Sequence, residues 1–216
     1  MITGDGSHTI LDASRQVTYH SIHGAIIESR HVFIRHGLEH LAIRNSHISV
    51  LEVGFGTGLN AFLSYLFARE HDDLSVQYTG IEKFPLAAEI VAQLNYSTQL
   101  DAQQYQYIFQ RMHVEGEFRS ERFHFNLFVG DVLDFIPLIP YDLIYFDAFA
   151  PGAQPEMWEA QVFKKLMTCL TPGGILVTYC AQGKFKRTLR SLGFQLESLP
   201  GPPGKREMVR AGLGLS

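Results

Sequence analysis

Cysteine is almost absent from this sequence, which has only two in 216 residues, Cys169 and Cys180. Both are set among apolar residues, so they indicate small buried side chains in a reducing compartment rather than a disulfide or a metal pair. No run of about 18 apolar residues occurs, which argues against a membrane-spanning helix. The first residues have neither a basic start nor an apolar core, so we expect no signal peptide and a cytoplasmic protein.

Basic residues are also scarce over most of the chain. Residues 1–159 contain 9 Lys and Arg against 20 Asp and Glu, a net charge of −11, whereas residues 160–216 contain 9 against 2, a net charge of +7. The total of −4 gives no general attraction to nucleic acid. The basic C-terminal quarter predicts one basic face on an acidic protein, although solvated helix surfaces would have the same composition.

The order of apolar segments predicts an α/β fold. Residues 9–11 and 16–19 are typical of short strands around a turn, and residues 32–34 of a third such segment. We expect residues 1–45 to form a small β-rich cap over the ligand-binding edge of a sheet. From residue 48 onwards strands alternate with helices, which predicts seven strands in a mostly parallel sheet with helices on both faces.

The most informative stretch is a buried strand followed by alternating glycines. Residues 48–53 are an apolar run, then come Gly54, Gly56 and Gly58, and residues 59–67 repeat apolar side chains at helical spacing. Strand, glycine turn and helix form the first half of a nucleotide-binding unit, in which backbone N–H groups approach the ligand. A dinucleotide fingerprint would require a further glycine where Leu59 stands.

Acidic residues at the predicted strand ends favour a cationic ligand without phosphate. The carboxylate of Glu52, just before the glycines, would repel a pyrophosphate and attract an ammonium group. Glu82 ends the next strand at a spacing that suits a ribose-binding acid. Asp131 follows a third strand, where it would bind an adenine amino group or only form the turn. S-adenosylmethionine (SAM) has an ammonium group, a ribose and an adenine but no phosphate, so we predict it as the cofactor.

The segment from Asp147 to Pro151 follows the fourth strand, where a transferable methyl group would point. A methyl acceptor needs a free lone pair held in line with the bond that breaks. If the acceptor is an amine, the carboxylate of Asp147 would orient it and take its proton, while Phe149 would wall the site or stack on a base. The same residues would also form a simple capped turn.

Motifs along nearly the whole chain resemble the bacterial tRNA 5-methylaminomethyl-2-thiouridine methyltransferases, which are class I SAM-dependent enzymes. The resemblance rests on Tyr19-His-Ser21, Glu28-Ser29, His31-Val-Phe-Ile34, Glu52-Val-Gly-Phe-Gly-Thr-Gly-Leu-Asn60, Glu82-Lys-Phe-Pro85, Asp147-Ala-Phe-Ala-Pro151, Pro155-Glu-Met-Trp158 and Lys205-Arg-Glu-Met208, in this order. It implies a Rossmann-like methyltransferase domain over residues 46–216. It also implies SAM-dependent N-methylation of the 5-aminomethyl group of a wobble uridine in tRNA.

Three sets of site residues follow from the resemblance and the patterns above. The predicted catalytic residues are Asp147 and Phe149. The predicted cofactor contacts are Glu52, Gly54, Phe55, Gly56, Thr57, Gly58, Asn60, Glu82, Lys83, Asp131 and Asp147. The predicted tRNA contacts are Tyr19, Ser29, Pro151, Lys184, Lys186, Arg187, Lys205 and Arg206.

Several alternatives stay open on the sequence alone. The chain ends where the flavin oxidase of fused relatives would begin, which predicts a stand-alone methyltransferase and a separate oxidase that supplies the aminomethyl precursor. Competing functions are a small-molecule SAM methyltransferase, a nicotinamide-dependent oxidoreductase and a non-catalytic SAM- or RNA-binding module. The segment His36-Gly37-Leu38-Glu39-His40 matches a zinc-protease pattern, but Gly37 weakens the helix and a third ligand is lacking, so we predict no metal.

Overall fold

The structure is a computed structural model that describes residues 1–214. Over this range the chain forms one mixed sheet of eight strands and a separate two-stranded hairpin. The sheet has the spatial order β5 (Glu117–Arg119), β6 (Phe123–Val129), β4 (Ser75–Glu82), β3 (His47–Val53), β7 (Tyr141–Phe146), β8 (Leu170–Thr178), β10 (Glu207–Gly212) and β9 (Gln195–Pro200). The hairpin pairs β1 (Leu11–Asp12) with β2 (Val17–Thr18).

The five central strands are parallel, so their carboxyl ends share one edge of the sheet. Strand β3 pairs in parallel with β4 on one side and β7 on the other, and these pair in parallel with β6 and β8. The chain builds outward from β3 through β4 to β6 and then returns to β7, which reverses the strand order between β3 and β7. In open sheets of this kind ligands bind at that reversal.

Helices cover both faces of the sheet. One face carries α1 (Ala25–Ser29), a π-helical segment (Arg30–Leu38) and α2 (Glu39–Ala42), which follow without a break, together with α3 (Leu59–Glu70) and α6 (Gln106–Val114). The other carries α7 (Ala160–Met167) and α8 (Gly183–Ser191). Shorter connections contain α4 (Ala88–Val91), α5 (Tyr96–Gln99) and 3₁₀ turns at Gln103–Tyr105 and Pro155–Trp158.

Successive side chains of β3 point to opposite faces and feed two separate cores. Ile48 and Val50 pack into the core beneath α3, whereas Leu51 and Val53 pack into the core beneath α7 and α8. This burial on both sides explains why the strand is an unbroken apolar run. It also fixes the glycine turn that follows Val53 at the edge where the order of strands reverses.

The predicted α/β architecture with a mostly parallel sheet is confirmed, and so is the N-terminal hairpin. The predicted count of seven strands in the sheet is wrong, since the sheet has eight strands over the described residues. The additional strand, β5, is an antiparallel edge strand of three residues, which is too short to show an alternating pattern of apolar residues. The extended segment predicted at residues 32–34 is also wrong, since Val32 and Phe33 lie in the π-helical segment and are buried in the core. The division into a cap of residues 1–45 and a domain of residues 46–216 stays a prediction.

The segment between β7 and β8 is only partly helical, since a 3₁₀ turn precedes α7 and β8 begins at Leu170. In the zinc-like motif, Gly37 lets the helix pack closely on the sheet, since a Cβ there would lie 3.0 Å from the ring of Tyr145. Among residues 1–214 no helix is long and apolar enough to cross a bilayer.

Candidate active site

A cavity of about 310 Å³ opens at the carboxyl edge of the sheet, where the strand order reverses. Four strand ends contribute residues 53–57, 81–84, 130–132 and 147–149 to its wall. The N-terminal segment contributes Asp12, Arg15, Tyr19 and His20, and the loop after β7 contributes Gln154 and Met157. The predicted site residues that line the cavity are Tyr19, Gly54, Phe55, Gly56, Thr57, Glu82, Lys83, Asp131, Asp147 and Phe149.

The glycine loop forms the floor of the cavity because side chains would not fit there. Gly54 has a φ of +89°, and a Cβ on it would lie 2.7 Å from the carbonyl oxygen of Asp147. A Cβ on Gly56 would lie 3.2 Å from the ring of Tyr19, which lies over the loop. The loop thus exposes backbone rather than side chains to a ligand. Gly58, in the left-handed conformation, is the N-cap residue of α3.

Glu82, at the end of β4, holds the glycine loop in place. Its Oε2 accepts a hydrogen bond of 2.8 Å from the Gly56 N–H, and its Oε1 accepts one of 2.9 Å from the Phe84 N–H. Each carboxylate oxygen has two lone pairs, so each can still accept a hydrogen bond from a ligand. Glu82 therefore shapes the loop and presents acceptors to the cavity.

Asp131 forms the turn after β6, which was one of its two predicted roles. Its Oδ1 accepts a hydrogen bond of 2.9 Å from the Leu133 N–H, and its Oδ2 accepts one of 3.0 Å from the ammonium group of Lys83. These two hydrogen bonds lower the pKa of the Asp131 carboxyl. Lys83 thus brings a positive charge to the cavity, but this charge is already paired with Asp131.

Glu52 is buried beneath the cavity and reaches it only through Asn60. The carboxylate accepts hydrogen bonds of 2.8 Å from the Asn60 Nδ2 and the Tyr78 hydroxyl. The same Asn60 nitrogen donates a second hydrogen bond of 2.8 Å to Oδ2 of Asp147. Burial raises the pKa of Glu52 well above its ordinary value, and the negative charge of Asp147 raises it further. Two acids therefore share one amide nitrogen.

Burial brings the pKa of Asp147 close to neutrality. Its side chain is enclosed by protein but still opens onto the cavity. Burial raises the pKa of the carboxyl to about 7, the charge of Glu28 adds to the rise, and Asn60 and Lys205 oppose it. A carboxyl with this pKa can both accept and release a proton near neutral pH.

Phe149 belongs to an aromatic wall beside Asp147. The Tyr19 ring meets it edge to face, with 4.9 Å between centroids, and the Arg15 guanidinium carbon lies 5.5 Å from its centroid. Trp158 fixes the loop, since its Nε1–H donates a 2.7 Å hydrogen bond to the Phe149 carbonyl. This contact explains the proximity of the two motifs at residues 147–151 and 155–158. The wall can contact a planar group.

The N-terminal segment contributes Arg15 and His20, which were not among the predicted site residues. Arg15 is paired with Asp12 at 2.7 Å in the turn of the hairpin. His20 Nε2 lies 2.7 Å from the Thr57 hydroxyl and so joins this segment to the glycine loop. Burial lowers the pKa of His20 to about 4, so the ring is neutral at pH 7. The sequence predicted the hairpin, but strands of two residues do not reveal which side chains face a ligand.

The predicted tRNA contacts separate into exposed and engaged residues. The Lys186 ammonium is bound to Glu207 at 2.7 Å and Ser198 at 2.9 Å, and the Lys205 ammonium is bound to Glu28. Ser29 is fully buried. Three exposed cations lie in α8, which follows the carboxyl end of β8, and in the loop of residues 201–206 that precedes β10. We call these the basic rim: Lys184, Arg187 and Arg206.

Comparison with known proteins gives a family match over more than half of the chain. The family described as S-adenosyl-L-methionine-dependent methyltransferase matches residues 94–213. A Pseudomonas putida protein named tRNA 5-methylaminomethyl-2-thiouridine biosynthesis bifunctional protein MnmC is 31% identical over 211 residues, which cover 88% of this chain and 31% of that protein. A protein of the same name from Leptospira interrogans is 32% identical over 223 residues, which cover 97% of this chain and 34% of that protein.

The fold also matches a solved structure. MnmC2 from Aquifex aeolicus superposes with a TM-score of 0.83 at 25% identity, which covers 100% of this chain and 70% of that one. The chain spans about a third of the length of the two bifunctional relatives.

Proposed function

Because the chain belongs to the S-adenosyl-L-methionine-dependent methyltransferase family, we propose that it methylates the nitrogen of a 5-aminomethyl group on a wobble uridine of tRNA. The product would be 5-methylaminomethyl-uridine or its 2-thio form. The observation that carries the proposal is the Asp147 carboxyl, with its pKa of about 7, beside an aromatic wall at the edge of the glycine-lined cavity. The names of the relatives support tRNA as the substrate.

The charges of the cavity fit SAM better than a ligand with a pyrophosphate. Among the lining side chains, Asp12 is paired with Arg15 and Asp131 with Lys83. Glu82 and Asp147 have no cationic partner of this kind among residues 1–214. The unpaired charges of the lining are therefore negative, and they complement a sulfonium and an ammonium group. When bound, SAM supplies an electrophilic methyl group.

In the proposal, several residues hold the cofactor without taking part in the chemistry. Glu82 accepts hydrogen bonds from the ribose hydroxyls through its remaining lone pairs, and the backbone of Gly54 and Gly56 packs against the ligand. Glu52 acts indirectly, since it orients Asn60. Apart from Asp147, which also acts on the acceptor, the remaining predicted contacts are Phe55, Thr57, Gly58, Lys83 and Asp131. Of these, Phe55 packs its buried ring against His113 and contributes backbone to the loop.

Asp147 is proposed to prepare the acceptor amine. An alkylamine arrives mostly as ammonium at neutral pH and then has no lone pair to form a bond. A carboxylate with a pKa of about 7 orients the ammonium group and takes its proton at Oδ1 or Oδ2. Asn60 steadies the carboxylate through Oδ2. The rate is therefore expected to rise with pH as Asp147 and the amine lose their protons.

The uracil base is proposed to lie against Phe149 and Tyr19. Aromatic rings bind a base of any sequence by stacking, at about 1–3 kcal/mol per base. Pro151 lies two residues after Phe149 in the same loop and would limit the space for the base. The basic rim is proposed to contact phosphates near the modified nucleotide, which gives an affinity that decreases with salt. Lys186, Lys205 and Ser29 have internal partners or are buried, so we expect them to act by supporting this surface.

The aminomethyl group requires an earlier reaction, and we propose that a separate oxidase supplies it. A tRNA substrate also makes the cytoplasm the proposed compartment.

The test is methyl transfer to a defined RNA. The protein is incubated with methyl-labelled SAM and tRNA that carries 5-aminomethyl-2-thiouridine, and the RNA is digested to nucleosides. We expect the label in 5-methylaminomethyl-2-thiouridine. Matched substrates are the same tRNA without the aminomethyl group, the free 5-aminomethyl nucleoside and a simple alkylamine. Transfer to the free nucleoside or the alkylamine at the rate seen with tRNA would overturn the assignment of tRNA as substrate.

A further inference from the structure

Three segments that are distant in the chain meet beside the loop of Asp147. Glu28 lies in α1, Tyr179 directly follows β8, and Lys205 lies in the loop of residues 201–206. The Lys205 ammonium forms an ion pair with Oε1 of Glu28 and lies 3.8 Å from the ring centroid of Tyr179. The Tyr179 hydroxyl donates a 2.8 Å hydrogen bond to the carbonyl oxygen of Ala148. A continuous set of contacts thus connects the ion pair to the residue after Asp147.

We propose that Glu28 and Lys205 are positioning residues that hold the Asp147 loop through Tyr179 and set the charge of the Asp147 carboxyl by their opposing fields. The inference rests on the proposed function, in which that carboxyl receives a proton from the acceptor amine. Neither residue needs to touch the substrate, and Lys205 thereby has a role other than binding phosphate.

Stability alone does not account for this ion pair. The side chains of Glu28 and Lys205 are only 9% and 33% exposed. Removing two charges from water costs free energy that their attraction barely repays, so a buried pair contributes little net stability. The second carboxylate oxygen of Glu28 is also engaged, since it accepts a 2.9 Å hydrogen bond from the Ser21 N–H. Both carboxylate oxygens of Glu28 therefore have partners within the protein.

The two charges act on Asp147 in opposite directions. Burial is the main reason that the pKa of Asp147 is raised; Glu28 raises it further, and Lys205 lowers it. With the pair intact these two effects oppose each other, with that of Glu28 the larger, and removal of either partner leaves the effect of the other unopposed. The titratable and charged groups that act on or interact with Asp147 are Glu28, Lys205, Glu52, Tyr78, Tyr96 and Tyr179.

The test compares single and paired substitutions in the full chain. Lys205→Met leaves the negative charge of Glu28, so the rise of kcat with pH is expected to move to higher pH. Glu28→Gln leaves the positive charge of Lys205, so the same rise is expected at lower pH. Each shift should be about half a pH unit or more. The double variant should return towards wild type, and Lys205→Arg, which keeps the charge, should rescue the profile.

A second readout does not depend on activity. The Asp147 carboxyl can be titrated by ¹³C NMR in the protein alone, with its signal identified by its loss in Asp147→Asn. The exposed residues Glu70 and Lys164 serve as matched controls as Glu70→Gln and Lys164→Met, which should leave the titration unchanged.

The two readouts separate failure of this inference from failure of the proposed function. If wild-type protein does not methylate tRNA but the Asp147 signal moves in opposite directions in Lys205→Met and Glu28→Gln, the ion pair still tunes the carboxyl and the substrate assignment is wrong. An unmoved Asp147 midpoint in both folded variants, or shifts in one common direction, would overturn the inference.

Discussion

Replacing Asp147 by asparagine should stabilise the folded protein and strongly reduce the rate of methyl transfer. The pKa of the carboxyl is raised from 3.8 to about 7, chiefly by burial. A group whose pKa rises on folding adds stability at low pH that is lost as the pH increases through its folded pKa. The loss accumulates between about pH 4 and pH 7. At about 1.4 kcal/mol per unit, a shift of roughly three units costs on the order of 4 kcal/mol above pH 7.

Solvent reduces this cost because the side chain opens onto the cavity, so we expect a difference of about 2–4 kcal/mol. Asparagine has no proton to lose and therefore stays uncharged in the buried site, and its amide oxygen can still accept the hydrogen bond from Asn60. The assay is urea unfolding of both proteins from pH 4 to pH 9 without SAM. The free energy of unfolding of Asp147→Asn should exceed that of wild type by a small amount at pH 4, and this difference should grow with pH and level off above pH 7. Its kcat for methyl transfer should be lower by a hundredfold or more.

Asp142→Asn provides the matched control on the same strand. Its Oδ2 accepts hydrogen bonds of 2.9 Å from the Ser49 N–H and 2.7 Å from the Ser49 hydroxyl, at the end of β7 remote from the cavity. This change should lower stability by about 1–3 kcal/mol and leave kcat unchanged. The reasoning is refuted if Asp147→Asn is no more stable than wild type at pH 9, or if it methylates at the wild-type rate.

Three further changes test other parts of the site. Glu82→Gln should weaken SAM binding by about 1–3 kcal/mol in calorimetry, because its charged hydrogen bonds are lost; equal affinity would remove Glu82 from the cofactor site. Gly54→Ala should lower the free energy of unfolding by about 1–3 kcal/mol, since its φ is +89° and the new Cβ would meet the carbonyl of Asp147; Gly152→Ala, with open space around it, is the control. Neutralising the basic rim should reduce the log-log salt slope of tRNA binding by up to about 0.9 per lost phosphate contact, and SAM affinity should not change. Lys164→Met should change neither the salt slope nor the SAM affinity. An unchanged slope after the basic rim is neutralised would mean that tRNA binds elsewhere.

The parts of the fold that depend on local pattern were predictable. The strand before Gly54 and the helix after Gly58 follow from an apolar run, a glycine turn and helical spacing, all within about 20 residues of sequence. The acids at the ends of β4 and β7 were predicted to share an edge, and they do, because parallel strands bring their carboxyl ends together. The prediction of an extended segment at residues 32–34 was wrong because Val, Phe and Ile are enriched in strands, whereas here tertiary packing buries them in a helix.

Features that depend on side-chain partners were not predictable. The sequence counts Lys186 and Lys205 as positive charges, but it does not reveal that Glu207 and Glu28 already bind them. Their partners lie 21 and 177 residues away in the chain. Net charge per segment therefore overstates the basic surface, and only the three residues of the basic rim are exposed among the predicted cationic tRNA contacts.

The buried hydrogen bonds around Asn60 couple the two halves of the proposed reaction. Glu52 joins Tyr78 on β4 to Asn60 on α3, and Asn60 joins both to Asp147 at the end of β7. The acid that the sequence assigned to the cofactor therefore acts on the acid that it assigned to the acceptor. Ionisation of Asp147 is costly while the cavity lacks a cation, chiefly because the side chain is buried. A positively charged ligand would lower that cost, so binding of the cofactor should lower the pKa of Asp147 and increase the fraction of the carboxyl that is ionised at neutral pH.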